Sequence, residues 1–193
     1  LNHVTFQPNG EITVRPITLP PARFQELSDH LMLVYTGIKR TAAAIAETYD
    51  FDGHKRHLRI MRDLVDEAIA ILNSGGDIRR FGELLHEAWL AKQSLSDRVT
   101  NPAVNAIYEK ARAAGAVGGK IMGAGGGGFM QLFAPPGAQP RVREALKDLI
   151  HVPFKIGSSG SQIIFYDPQE DFSSLGGDAA SSPPRVFREL ERA

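Results

Sequence analysis

The chain has 193 residues, with 22 Lys and Arg against 22 Asp and Glu and 42% hydrophobic residues. That length can bury one good core, and the charge balance argues against a nucleic-acid partner or an acidic tail. There is no cysteine, which excludes disulfides and thiol chemistry and fits a reducing cytosol; no apolar run reaches membrane-spanning length, so no membrane partner is expected.

Residues 4 to 8 and 11 to 17 alternate and are β-branched around Pro8-Asn9-Gly10. The pattern predicts a β-hairpin, with Asn-Gly supplying the positive-φ turn. Pro16, Pro20 and Pro21 then break regular structure. Leu31 to Tyr35 reads as a short strand that runs into Thr36-Gly37 and an alanine-rich helix over 40 to 49. Residues 54 to 73 place Leu58, Met61, Leu64, Val65, Ala68, Ile69 and Leu72 at helical spacing, which predicts one buried face. Gly75-Gly76 ends that helix. A second is expected over 77 to 97, with Phe81, Leu84, Leu85, Ala88, Ala91 and Leu95 inward. A third starts at Asn101-Pro102, an N-cap followed by proline at the first helical position, and closes at Gly115.

Gly118 to Phe133 follows. Five of the six residues from Gly123 to Gly128 are glycine, and the sixth is Ala124. Such a run serves where backbone must take φ > 0 or pass close to another group, and its successive N–H groups can converge on an anion. A tight hairpin turn or a close backbone crossing would account for it equally well. Phe129 to Phe133 alternates like a strand, so the run is no P-loop, which opens a helix. Pro135-Pro136-Gly137 turns the chain, and Pro140 starts a helix with Val142, Ala145, Leu146 and Leu149 inward. Strands are expected at Val152 to Ile156 and Gln162 to Tyr166. Beyond Asp167 the composition shifts to Ser, Gly, Ala, Pro and charge, so 168–193 reads as a mobile tail, with a helical turn at Val186 to Leu190. The sum is α+β, an antiparallel sheet covered by helices, preceded by a β-hairpin and carrying extra helices.

Several polar residues are candidates for chemistry, each with a plainer reading beside it. Arg40 follows a strand-turn at a helix start, with Thr36 beside it. It could meet an acceptor hydroxyl or phosphate, or be solvated. Lys120 could partner a phosphate or sit on a strand edge. Lys92 and Ser96 are four apart, so on one helix they share a face and could reach a sugar; surface and packing roles compete. Lys55, Arg59 and Arg62 fall on one face, and Asp63, Asp66 and Glu67 balance them as a solvated surface.

Lys120-Ile-Met-Gly-Ala-Gly-Gly-Gly-Gly-Phe129 closely resembles the third motif of the GHMP kinases, the galactokinase, homoserine kinase, mevalonate kinase and phosphomevalonate kinase superfamily. Leu85-His-Glu-Ala-Trp-Leu-Ala-Lys-Gln-Ser-Leu-Ser96 and Tyr35-Thr-Gly-Ile-Lys-Arg40 look like the branch that phosphorylates D-glycero-D-manno-heptose 7-phosphate. The resemblance spans residues 1 to 166. It implies a ferredoxin-like C-terminal kinase domain over 21–167, with 1–20 a hairpin from the end of an N-terminal kinase domain that is missing here. It implies ATP and Mg²⁺ as cofactors and a sugar or sugar phosphate as partner. Gly123, Ala124, Gly125, Gly126, Gly127 and Lys120 would lie on the nucleotide phosphates, and Thr36, Arg40, Lys92 and Ser96 on the acceptor. Gly128 would allow strand packing.

The family's main phosphate loop, Pro-x-x-x-Gly-Leu-Gly-Ser-Ser-Ala, has no counterpart in the sequence, and no aspartate matches the family's catalytic one. The chain therefore reads as the C-terminal half of a cytoplasmic sugar kinase, inactive alone, with no catalytic and no metal-ligating residue of its own. The alternatives are another small-molecule kinase of the superfamily, fucokinase-like or mevalonate-type, and a non-catalytic binding module of the same fold. An apolar face exposed where the other half belongs would favour self-association into a homo-oligomer.

Overall fold

The structure is a computed structural model and describes residues 1–39, 47–48 and 53–157. Arg40, most of the expected helix over 40 to 49, the strand at 162 to 166 and the tail lie outside the described residues.

The chain opens on the hairpin. β1 (Asn2–Phe6) pairs antiparallel with β2 (Ile12–Pro16), Val4 facing Val14 and Phe6 facing Ile12. Gly10 takes φ +86° in the turn, as Asn-Gly foretold. Next comes α1 (Pro21–His30), where the prolines had suggested only a break. Pro21 stands in the first turn of the helix, where its missing N–H costs nothing because that group has no partner inside the helix anyway. β3 (Leu31–Tyr35) follows directly. α2 (Lys55–Asn73), α3 (Arg79–Gln93) and α4 (Pro102–Ala113) are the extra helices. β4 (Gly118–Ile121), β5 (Phe129–Phe133), α5 (Gln139–Ala145) and β6 (Ile150–His151) complete the described part.

β3 to β6 form one antiparallel sheet in the order β4-β5-β3-β6. Numbered from β3 as the first strand, that order is 2-3-1-4, the ferredoxin-like arrangement of a split βαβ pair. The fourth strand is shorter and earlier than expected. Residues 152 to 156 are not strand, although the Val152 N–H still donates to the Leu33 carbonyl at 2.9 Å. Pro153, which has no N–H, ends the ladder there.

Strand alternation sends Met32, Val34, Ile121, Met130 and Leu132 to one face of the sheet. There they meet Val104, Tyr108 and Ala111 of α4 and Val142 of α5 in the main core. The other face packs Phe133 against Leu27 of α1, Leu72 of α2 and Ile78. Arg23 of α1, only 7% exposed, clamps α1 to α2. Its guanidinium donates to the carbonyls of Ile71 (2.8 Å) and Leu72 (3.2 Å) and pairs with Glu26. A cation thus meets the negative end of the α2 dipole and satisfies carbonyls the helix leaves open. α2 buries Leu64, Ile71 and Leu72, but Val65, expected inward, is exposed.

Candidate functional site

Between β4 and β5 the backbone turns through φ +74° at Gly123, +123° at Gly125, +66° at Gly126, +157° at Gly127 and +81° at Gly128. Four of these five angles lie well inside the left-handed region, which L side chains enter only with strain, so the run answers a conformational demand. The loop is anchored by four residues. The Gly126 N–H donates to the Val99 carbonyl, and the Gly126 carbonyl accepts from the Asn101 side-chain amide at 2.7 Å. The Gly128 N–H donates to the Ile38 carbonyl at 2.8 Å, and its carbonyl accepts from both the N–H and the hydroxyl of Thr36, each at 2.8 Å.

These bonds divide the predicted residues by role. Thr36 is buried and its hydroxyl proton is committed to holding the loop. The N–H of Gly126 points at Val99 and is not open to a ligand. A Cβ on Gly128 would meet nothing within 4 Å, but the residue has a positive φ. Conformation and anchoring therefore explain it, where strand packing had been expected. The amides of Gly123, Gly125 and Gly127 have no hydrogen-bond partner among the described residues. All three residues line a cleft of roughly 400 Å³, with Tyr35, Lys39 and Phe129 among the other walls. The rings of Tyr35 and Phe129 stand 5.2 Å apart at its side.

Lys92 and Lys120 meet beside the loop. The Lys92 ammonium donates to the Gly123 carbonyl. Burial, then the charge of Lys120, lowers the Lys92 pKa to about 8; burial lowers that of Lys120. Ser96 is elsewhere. α3 ends at Gln93, so Lys92 and Ser96 do not share a helical face. The Ser96 hydroxyl instead lies 2.7 Å from that of Thr48 and accepts from the Arg98 N–H at 3.1 Å. Trp89 is fully buried against Tyr108 in the core, and Arg62 is an exposed partner of Asp63.

Two anchors escaped the sequence. Asn101 caps α4 as expected, its side-chain oxygen accepting from the Val104 N–H at 2.9 Å. The other end of the same amide holds the glycine loop, so one side chain fixes the loop to a helix start. Only the first role had a signal, Asn-Pro before an apolar run. The Val99 carbonyl had none.

Residues 60–151 match the family model described as GHMP kinases C terminal. The chain carries a GHMP kinase C-terminal domain. It is 30% identical over 149 residues to the D-glycero-alpha-D-manno-heptose 7-phosphate kinase of Campylobacter jejuni, covering 76% of this chain and 44% of that protein. It is 33% identical over 129 residues to the L-fucokinase/L-fucose-1-P guanylyltransferase of Bacteroides fragilis, covering 64% of this chain and 14% of that one. Among solved structures, the L. major mevalonate kinase in complex with R-mevalonate superposes with a TM-score of 0.61 at 21% identity, over 75% of this chain and 46% of that one. The last match carries the fold alone. The chain spans less than half the length of each of these proteins. In this GHMP domain the glycine motif is the β4–β5 loop. No described helix is long and apolar enough to cross a membrane.

Proposed function

We propose that the chain is the C-terminal part of an ATP-dependent sugar kinase, and that its glycine loop backs the nucleotide phosphates. One observation carries the reading: Gly123, Gly125 and Gly127, whose amides have no hydrogen-bond partner among the described residues, all line one cleft at a fixed turn. Preorganised N–H groups of that kind suit phosphate oxygens and need no rearrangement on binding. The fit of the nucleotide rests on those amides; its chemistry, when bound, is to supply the γ-phosphoryl group. Among the described residues no three His, Asp or Glu side chains gather to hold a metal. Mg²⁺ would therefore arrive on the phosphates, as it does where substrate oxygens supply the ligands.

The acceptor we favour is a heptose 7-phosphate, supported by the identity to the Campylobacter jejuni enzyme. L-fucose is the second reading, supported by the Bacteroides fragilis match. The chain's own residues position and neutralise; they contribute no base. A cytoplasmic setting belongs to the same reading. The test is a coupled ADP-release assay on the intact kinase chain with D-glycero-D-manno-heptose 7-phosphate, L-fucose and mevalonate. Turnover with the heptose and about tenfold or more below it with the others is expected. Preference for fucose would move the protein to the second reading, and no ADP release with any acceptor would leave a binding module of the same fold.

A further inference from the structure

Lys92 and Lys120 form a like-charged pair that nothing in the described chain neutralises. Lys92 stands in the last turn of α3, and Lys120 in the middle of β4. Alternation along β4 buries Ile121 in the main core and turns Lys120 to the opposite face, where α3 lies. Both lysines line a groove of roughly 390 Å³ between α2, α3 and β1. Lys92 has the Gly123 carbonyl; Lys120 has no hydrogen-bond or ion-pair partner among the described residues. Among the described residues no carboxylate acts on either ammonium. Two cations held together in half-buried surroundings oppose folding, and such a pair makes physical sense when an anion completes it.

We propose that the Lys92–Lys120 pair seats a phosphate monoester dianion, and that this phosphate belongs to the acceptor rather than to the nucleotide. Two positive charges match a dianion, where a carboxylate would neutralise one. The groove that holds the lysines and the cleft that holds the open amides share no lining side chain. Gly123 joins them: it borders the cleft, and its carbonyl holds Lys92. Two anion seats therefore border one residue, a layout that suits a reaction between two phosphorylated ligands. The assignment to the acceptor rests on the kinase reading above; the seat itself does not.

The 193-residue chain is titrated calorimetrically with glucose 6-phosphate in one arm and AMP-PNP with Mg²⁺ in the other, at matched NaCl. Wild type is compared with Lys120→Met, Lys92→Met and Lys120→Arg, each checked for folding by circular dichroism. Both methionine variants are expected to weaken glucose 6-phosphate by about tenfold or more, to leave AMP-PNP within about twofold, and Lys120→Arg to retain both. Wild-type affinity for glucose 6-phosphate should also fall as pH rises through about 8, where Lys92 loses its proton. Failure of the wild type to bind glucose 6-phosphate, equal binding of unphosphorylated glucose, or methionine variants that bind as wild type overturns the seat. Equal loss of both ligands assigns the pair to the nucleotide and overturns the acceptor assignment. Glucose 6-phosphate binding without AMP-PNP binding supports the seat and counts against the loop reading alone.

Discussion

A Cβ placed on Gly125 would lie 2.7 Å from the Val99 carbonyl oxygen, at a φ of +123°. Both facts weigh against any side chain there. The strain of a non-glycine residue in such a conformation is about 1–3 kcal/mol, and the contact with backbone cannot be relieved by a rotamer change. Gly125→Ala should therefore push the loop off Val99 and displace the amides beside it. We expect AMP-PNP affinity to fall by about tenfold or more, while the melting temperature drops by only a few degrees, on the order of 2–4 °C per kcal/mol. Unchanged affinity would take the loop out of the nucleotide site. In the sequence Gly123, Gly125, Gly126 and Gly127 look equivalent. Their division into anchors and open amides depends on Val99, Asn101, Ile38 and Thr36, the last 92 residues from its partner Gly128. That division is a long-range property, and no local pattern reports it.

At the scale of elements, the site depends on how α3 lies on β4. Gly82 of α3 and Gly118 of β4 face each other so closely that a Cβ on Gly118 would collide with the Gly82 carbonyl, and one on Gly82 would come within 2.5 Å of the Phe133 ring. This crossing sets Lys92 over Lys120. Gly118→Val should prevent the helix from seating and abolish cooperative thermal unfolding. Gly123→Ala, where the added carbon meets nothing within 4 Å, should cost only about 1–2 kcal/mol for its left-handed φ. Equal stability of the two variants would show that the helix is not held by this crossing. Much of the element list was legible, because periodicity and caps are local: the hairpin, β3, α2, α4 and β5 stand where their patterns put them. The failures have separate causes. α1 was hidden because Pro20-Pro21 signals a break and a helix start alike. α3 was read too long because Leu95 continues its apolar spacing, although the helix ends at Gln93 and Leu95 packs from the following turn.

At the scale of the molecule, the hairpin is unfinished. Its register puts Val4, Phe6, Ile12 and Val14 on one face, and their exposures are 42, 74, 57 and 55%. The alternation that announced a half-buried sheet is present, but among the described residues its apolar side stays largely open. Four neighbouring apolar side chains on a two-stranded sheet are unstable in water without a covering layer. The chain spans 44% of its Campylobacter jejuni relative. We predict that in the 193-residue chain a second copy covers it. Sedimentation should then show concentration-dependent self-association, and Phe6→Ser with Ile12→Ser should return the chain to monomer. Those two residues lie outside the glycine cleft and the lysine groove, so the double variant should bind AMP-PNP as before. A wild-type chain that stays monomeric at high concentration would mean that the hairpin covers its own apolar face in solution, and the interface reading would fail. Association that survives the double substitution would place the contact on another surface.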